Sequence, residues 1–168
     1  MKLPILTTLF VLCTCVLFAQ KSAKEVYFST NIGRTASMFD DASGYHIELM
    51  PGFKVTNRVD LISQFSFSVL NIKSTFISGR TGRSTSKKLL LGTRFYFSKP
   101  SDSFRFYTNI LCGIDYYNKQ INNDFRNIPL EGNIGYSLGI YGRHRSGING
   151  GLAFESPGIF VLKLGYHF

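Results

Sequence analysis

The last nine residues of the sequence, 160–168, constrain the fold more than any other segment. Apolar side chains stand at every second position, and Lys163, Gly165 and His167 fill most of the positions between them. Because successive side chains of a strand point to opposite faces, this alternation predicts a β-strand with one continuous apolar face. Such a strand, ending on an aromatic residue, is typical of the closing strand of a transmembrane barrel. The apolar series is Phe160, Leu162, Leu164, Tyr166 and Phe168.

The N-terminus predicts export. Lys2 precedes an apolar run, and Leu17-Phe18-Ala19 forms a cleavage site before Gln20. We therefore expect residues 1–19 to be a signal peptide and residues 20–168 to be a single domain. An uncleaved helical anchor is the alternative, although the run is shorter than the roughly 20 residues that a span needs. In a lipoprotein signal Cys15 would be the lipidated residue, but the residues before it match such a signal poorly. Cleavage would leave Cys112 as the one cysteine, so no intramolecular disulfide is expected.

Eight segments of period-two alternation follow, and no segment predicts a helix. The fold class that this predicts is all-β: an eight-stranded antiparallel up-and-down transmembrane barrel, because lipid cannot satisfy an open sheet edge. Short connections at 57–58, 99–103 and 143–146 alternate with four others, of which 34–43, 71–87 and 118–129 are long and 156–158 is short. Short turns on one side and longer loops on the other are typical of bacterial barrels with short periplasmic turns. The predicted strands are 25–33, 44–56, 59–70, 88–98, 104–117, 130–142, 147–155 and 160–168.

The direction in which the apolar side chains point, outward or inward, distinguishes a membrane barrel from a soluble one. A lipocalin-like barrel turns its apolar side chains inward around a ligand. Here the apolar set is rich in aromatic rings, which would overfill an eight-stranded interior, whereas the opposite set is small, polar and charged. We therefore expect the apolar set, Cys112 included, to face lipid.

Three segments resemble one family. They are the signal ending Leu17-Phe18-Ala19-Gln20, the hairpin approach at 48–58, and the terminal Gly165-Tyr166-His167-Phe168. The mature chain resembles the small outer-membrane β-barrels of the OmpA/OmpX and OmpW-like superfamily, in the form found in Bacteroidota-type bacteria. The resemblance implies residence in the outer membrane of a Gram-negative cell. It also implies that the outer-membrane assembly machinery reads Phe168 and the alternating apolar residues before it. The absence of Trp departs from the family pattern.

The inward set predicts a charge-paired lumen. Its charged residues are five of each sign, and buried charges are retained when they are paired and hydrogen-bonded. A selective ion path would more often show an excess of one sign. Because side chains can fill an eight-stranded barrel, we expect a polar plug and no large pore. The predicted network comprises Glu48, Lys54, Asp60, Lys88, Arg94, Arg105, Asp115, Glu131, Glu155 and Lys163.

A basic cluster marks the second long connection and its strand edges. The segment 71–88 contains no acidic residue, so it offers charge-assisted contacts to lipopolysaccharide phosphates or to an acidic partner. A solvated basic loop is the alternative, and its Ser, Thr and Gly content favours disorder. Nucleic acid is not an expected partner in this compartment, despite the basic charge. The candidate contacts are Lys73, Arg80, Arg83, Lys87 and Lys88.

One weak motif suggests an enzymatic activity. His144 and Ser146, with Glu155, are similar to the His-x-Ser plus Glu set of lipid A deacylase barrels. The predicted topology places the pair in a short periplasmic turn and Glu155 near the opposite rim, roughly 25 Å away at strand rise. His46 and His167 lie on different strands without a second ligand nearby in sequence. We therefore expect no catalysis, metal or cofactor.

Three functions remain in order of preference. The first is a structural or surface-interaction barrel whose loops contact lipopolysaccharide or external partners. The second is a narrow channel or binder for small hydrophobic molecules, as in OmpW-like proteins. The third is a lipid A-modifying enzyme. A closed barrel has no free edge that forces association, so a monomer is expected.

Overall fold

The protein folds as a closed barrel of eight antiparallel strands, which confirms the predicted fold class. The computed structural model describes residues 26–38, 41–73, 81–121 and 131–168. Each strand pairs with its neighbours in sequence, and the last strand closes on the first from Ser29↔His167 to Ser37↔Ile159. The predicted signal peptide lies outside the described residues. The strands are β1 (Val26–Ser37), β2 (Ala42–Lys54), β3 (Val59–Lys73), β4 (Thr81–Tyr96), β5 (Phe104–Ile121), β6 (Glu131–His144), β7 (Ile148–Glu155) and β8 (Ile159–His167).

Several strands are longer than the alternation predicts. β4 begins at Thr81 rather than at residue 88, and β5 continues to Ile121. The added residues form ladder pairs, such as Lys73↔Thr81 and Gly82↔Ile121. Strand pairing needs backbone hydrogen bonds, whereas an apolar face is needed only where lipid contacts the strand. The prediction of long loops at 34–43, 71–87 and 118–129 was therefore wrong in extent, because strands take up much of each segment.

The outer surface carries the apolar face of every strand, as the alternation predicts. Ile134 is 82% exposed and Leu162 is 64% exposed, and Cys112 also faces outward. Lipid is the environment that such a surface needs, because contiguous exposed apolar area of this extent is unfavourable in water. None of the described residues forms a helix of the length and hydrophobicity needed to cross a bilayer.

The two ends of the barrel, called the turn end and the loop end, differ in the connections that they carry. The turn end carries the connections 55–58, 97–103 and 145–147 together with both ends of the described chain. The loop end carries the remaining connections, the longest of which is 122–130. Gly147 and Gly158 adopt positive φ values of 98° and 89° in tight turns, where a side chain would be strained. Following the general topology of bacterial barrels, we assign the turn end to the periplasm.

Side chains fill the lumen in layers. Tyr96, Tyr107, Tyr141 and Ala153 form a buried group near the turn end, and the rings of Tyr107 and Tyr141 stack with centroids 5.2 Å apart. An apolar layer of Met50, Ile62, Leu90 and Leu111 follows, and a second one lies near the loop end. Lys88 lies two residues beyond Leu90 toward the loop end, so charged side chains are enclosed between the two apolar layers. The second apolar layer consists of Ala42, Leu70, Ile72, Ile159 and Val161.

Candidate functional site: a lumen with two charged regions

The first charged region is an ion-pair cluster, formed by Glu48, Lys88, Glu155 and Lys163. Lys163 Nζ lies 2.6 Å from Glu48 Oε2 and also contacts Glu155 Oε1. Lys88 Nζ lies 2.6 Å from the other oxygen of Glu155. All four side chains are shielded from solvent. Each lysine therefore has a carboxylate partner, and Glu155 serves both of them.

Neutral groups complete the hydrogen bonding of this cluster. Asn31 Nδ2 donates to Glu48 Oε1 at 2.6 Å, and His46 Nε2 lies 3.1 Å from Glu48 Oε2. Gln64 and Ser137 each donate to Glu155 Oε1 at 3.3 Å. The cost of burying charge is offset when the charges are paired and their remaining lone pairs are satisfied. The geometry is that of a structural core.

Two carboxylates of this cluster and the neighbouring His46 also lie close enough to hold a metal ion. His46, Glu48 and Glu155 each offer one atom, and these atoms lie within 4.8 Å of one another. The ammonium of Lys163 contacts both carboxylates, however, so a fixed cation already occupies the position between them. The arrangement suits an internal ion pair better than a metal site.

Arg94 separates this region from the turn end. The side chain is 1% exposed, and Nε donates to Asn109 Oδ1 at 3.0 Å. Its Nη1 donates to Tyr27 OH at 3.2 Å, and Cζ lies 4.3 Å from the ring centroid of Tyr107. Tyr27 OH in turn donates to Asp60 at 2.7 Å, so a tyrosine links the two opposite charges. A second hydroxyl, that of Tyr96, donates to the same Asp60 oxygen at 2.8 Å.

The second charged region is the arginine mouth, formed at the turn end by Arg105, Arg143 and Arg145. These residues line a cavity of about 720 Å³. Arg105 and Arg143 are directly opposite each other on β5 and β6, and both guanidinium groups lie over the ring of Tyr96. Arg143 also donates to His167 Nε2. Among the described residues, no carboxylate forms an ion pair with any of the three arginines.

The structure distributes the ten predicted lumen charges unevenly. Lys54 lies on the same face of β2 as the buried Met50 and opposite Asp60 in the ladder, but β2 ends at this residue, and its side chain is exposed at the turn end rather than buried in the network. Arg105 is half-buried at the mouth. The side chain of Glu131 lies outside the described residues. The seven charges buried in the lumen are Glu48, Asp60, Lys88, Arg94, Asp115, Glu155 and Lys163.

Sequence reasoning missed several functional groups of the lumen. Arg143 was assigned to a turn, although it belongs to β6, where it pairs with Arg105. The signal was available, since Arg143 continues the inward series of Gly139 and Tyr141. Tyr27 was not singled out either, although it connects Asp60 to Arg94.

The predicted basic cluster divides between the two faces of β4. Arg83 and Lys87 are exposed on the outer face near the loop end, where Lys87 pairs with Phe67 on one side and Tyr116 on the other. Lys88 was predicted as an external contact, and this is wrong: as the next residue along the strand it points inward to Glu155. Arg80 and the side chain of Lys73 lie outside the described residues. Arg34, not predicted, also lies on the outer surface, with Cζ 4.5 Å from the ring centroid of Tyr45.

The proposed assembly signal forms one exposed row. Phe160, Leu162, Leu164, Tyr166 and Phe168 all point outward from the barrel. The row lies next to β1, the strand that closes the sheet. Its recognition by assembly machinery stays a prediction.

The His-x-Ser pair forms a local turn contact. His144 Nδ1 lies 2.9 Å from Ser146 Oγ and also accepts the backbone N–H of Ser146 at 3.2 Å. Glu155 lies at the far end of β7, in contact with Lys88 and Lys163. The three residues are not brought together.

Solved structures share this fold at low sequence identity. The Yersinia pestis attachment invasion locus protein Ail, in complex with the heparin analogue sucrose octasulfate, is 15% identical, with a TM-score of 0.56 over 86% of this chain and 99% of that one. The outer membrane enzyme PagL is 14% identical, with a TM-score of 0.50 over 84% of this chain and 98% of that one. Neisserial surface protein A is 8% identical, with a TM-score of 0.50 over 84% of this chain and 92% of that one.

Two comparisons of the sequence alone found no match. No protein-family model matches it, and no curated protein matches it. In a closed eight-stranded barrel the sheet itself satisfies the backbone hydrogen bonds of the strands, and this barrel turns its apolar side chains outward, as a membrane-spanning barrel must. Together with the fold that it shares with solved outer-membrane barrels, this identifies the protein as a membrane-spanning β-barrel of that fold.

Proposed function

We propose that this protein is a surface-interaction barrel that binds lipopolysaccharide phosphates on its outer wall and keeps a filled, structural lumen. The observation that carries the proposal is the exposure of Arg83 and Lys87 on the outer face of β4, near the loop end. By the assigned topology this is the level of the outer leaflet. Both side chains are presented sideways, toward lipid headgroups, rather than upward into solution.

The surroundings of Lys87 suit a headgroup contact. Its ladder partners Phe67 and Tyr116 are exposed aromatic residues. A lysine stem can lie along such apolar rings while the ammonium reaches the headgroup level. Charge-assisted contacts to phosphate are about twice as strong as neutral hydrogen bonds. Each of these two basic side chains can therefore contact a phosphate group at the barrel wall.

The comparison with Ail adds modest support. That protein was observed in complex with a sulfated heparin analogue, which shows that a barrel of this fold can present a surface to a polyanion. The low identity carries no residue correspondence to this chain.

The lumen favours this role over a conduit. Buried tyrosines, two apolar layers and the ion-pair cluster fill the described interior in succession. A pocket near the loop end, lined in part by Leu70, Ile72 and Ile159, holds only about 70 Å³. Sites for small molecules are usually about 300–1,000 Å³. The cavity of about 720 Å³ at the turn end is in this range, but its three arginines do not suit a hydrophobic molecule. We therefore place the narrow channel or hydrophobic binder second, and the lipid A-modifying enzyme third, since Glu155 lies apart from His144 and Ser146.

The test compares two charge-matched double variants reconstituted in lipid nanodiscs. Arg83→Gln/Lys87→Gln removes the outer-wall pair, and Lys54→Gln/Arg58→Gln removes two exposed charges at the turn end. Purified lipopolysaccharide is titrated against each by isothermal calorimetry. We expect the outer-wall variant to lose about tenfold in affinity, the equivalent of one charge-assisted contact, and the turn-end variant to match the wild type. Equal affinity in all three proteins would overturn the proposal.

A further inference from the structure

The arginine mouth presents concentrated positive charge to an open cavity. Arg105, Arg143 and Arg145 line it together with His144. Its one acidic side chain, Asp102, turns away into its own connection, where the carboxylate accepts the backbone N–H of Lys99 at 2.9 Å. Asp60, the nearest carboxylate deeper in the lumen, is bonded to the hydroxyls of Tyr27 and Tyr96. The side chains that line the cavity therefore carry an excess of positive charge.

The arrangement of the two strand arginines is unfavourable by itself. Arg105 and Arg143 occupy directly opposite ladder positions. Like charges in such positions repel and destabilise a sheet. Tyr96 partly offsets this, since its ring lies 3.7 Å from Arg105 Cζ and 5.8 Å from Arg143 Cζ. A ring cannot neutralise two guanidinium groups, however, whereas an anion between them would.

Buried polar atoms nearby also lack partners in the protein. Arg105 Nε is buried without a hydrogen-bond acceptor. Asn149, the ladder partner of Arg143 on β7, is 2% exposed, and neither atom of its side-chain amide is paired. The same side of the lumen thus offers an unpaired guanidinium donor, an unpaired amide and two uncompensated charges.

We infer that the arginine mouth is a binding site for a phosphate-bearing anion that enters from the periplasmic side. Planar guanidinium groups recognise phosphate through paired hydrogen bonds, and adjacent arginines favour a multiply charged group over a single carboxylate. Ser146, which also lines the cavity, adds a hydroxyl. The cavity of about 720 Å³ is larger than inorganic phosphate needs, so the bound phosphate belongs to a larger solute or to a lipid headgroup of the periplasmic leaflet.

The site is independent of the proposed outer-wall contact. Arg83 and Lys87 lie near the loop end and the mouth lies at the turn end, so either proposal can fail without the other. The probe is inorganic pyrophosphate, titrated by calorimetry against the full chain in nanodiscs of phosphatidylcholine alone. The wild type is expected to bind it saturably. Arg105→Gln/Arg143→Gln is expected to weaken binding by at least about tenfold.

Two controls keep the test decisive. Lys54→Gln/Arg58→Gln removes the same charge from the same end of the barrel without touching the cavity, and it should bind like the wild type. Arg145→Gln changes an exposed turn residue, so it preserves the fold and should weaken binding by a smaller factor. Absence of saturable binding by the wild type, or equal binding by the double variant and its control, would overturn the inference.

A second arm separates the two sources of phosphate. The titration is repeated in nanodiscs that contain phosphatidylglycerol. A reduced apparent affinity for pyrophosphate, seen in the wild type and absent from Arg105→Gln/Arg143→Gln, would identify a lipid headgroup as the occupant. An unchanged affinity would identify a soluble phosphate-bearing anion.

Discussion

The ion-pair cluster and the arginine mouth lie in the same lumen and treat charge in opposite ways. In the cluster each lysine contacts a carboxylate, and no side chain is open to solvent. In the mouth, guanidinium groups face one another beside a cavity. Unpaired charge is far more costly in a dry interior than beside water. The buried cluster is therefore stable only because its positive and negative charges balance. The mouth, beside water, can keep unpaired positive charge that is available to a ligand.

This contrast indicates which part of a filled barrel can bind a ligand. A balance of positive and negative charges does not distinguish a structural cluster from a binding site, whereas solvent access does. Glu155, with two lysines and two neutral donors, has its hydrogen-bonding capacity occupied by the protein. Arg105 donates to the backbone of Asn57 and leaves Nε without a partner. Spare capacity beside an open cavity marks a binding surface.

The largest expected effect comes from breaking the cluster at its centre. Glu155→Ala leaves Lys88 and part of Lys163 without their counter-charge, so we expect it to lower the free energy of unfolding by about 3–5 kcal/mol. Urea unfolding in lipid vesicles measures this, read as loss of the fast-migrating unboiled band on a gel.

Its control removes one neutral donor from the same carboxylate. Ser137→Ala should lower the free energy of unfolding by only about 1 kcal/mol. A loss below about 1 kcal/mol for Glu155→Ala as well would show that the paired charges contribute little, and the contrast with the mouth would disappear.

The sequence predicted some features of this structure and missed others. The side that each strand presents to lipid follows from alternation alone, and it held for residues as different as Cys112 and Ile134. The extent of β4 did not follow, because residues 81–87 are polar on both faces and carry no period-two signal. Lys88, at the edge of this stretch, was therefore counted both among the lumen charges and among the external contacts.

The sequence could not predict which charged side chains pair across the lumen, and the reason is geometric. Inward charges could be counted, but Lys163 and Glu48 are 115 residues apart, and Lys88 and Glu155 are 67 apart. Which side chains meet depends on the tilt and stagger of all eight strands together. The mouth was missed for a simpler reason: Gly142 ended the predicted strand, so Arg143 was read as part of a turn.

An intermediate effect is expected where the two regions adjoin. Asp60 accepts hydrogen bonds from Tyr27 and Tyr96, below the fully dry cluster. Asp60→Ala leaves two buried hydroxyls without their acceptor, so we expect a loss of about 2–3 kcal/mol in the same urea experiment. Asp60→Asn keeps an acceptor oxygen and should restore at least half of the loss. Equal losses in both variants would assign the effect to charge rather than to hydrogen bonding.

The smallest effect on stability should come from the mouth itself, where the same kind of change is made in open surroundings. Arg143→Gln removes a charge that has no carboxylate partner and relieves its repulsion with Arg105. We expect the free energy of unfolding to change by less than about 1 kcal/mol, in either direction. Added salt should stabilise the wild type slightly more than this variant, because salt screens the repulsion that the variant lacks. A loss as large as that of Glu155→Ala would mean that the arginines hold the barrel together, and the two charged regions would then share one structural role.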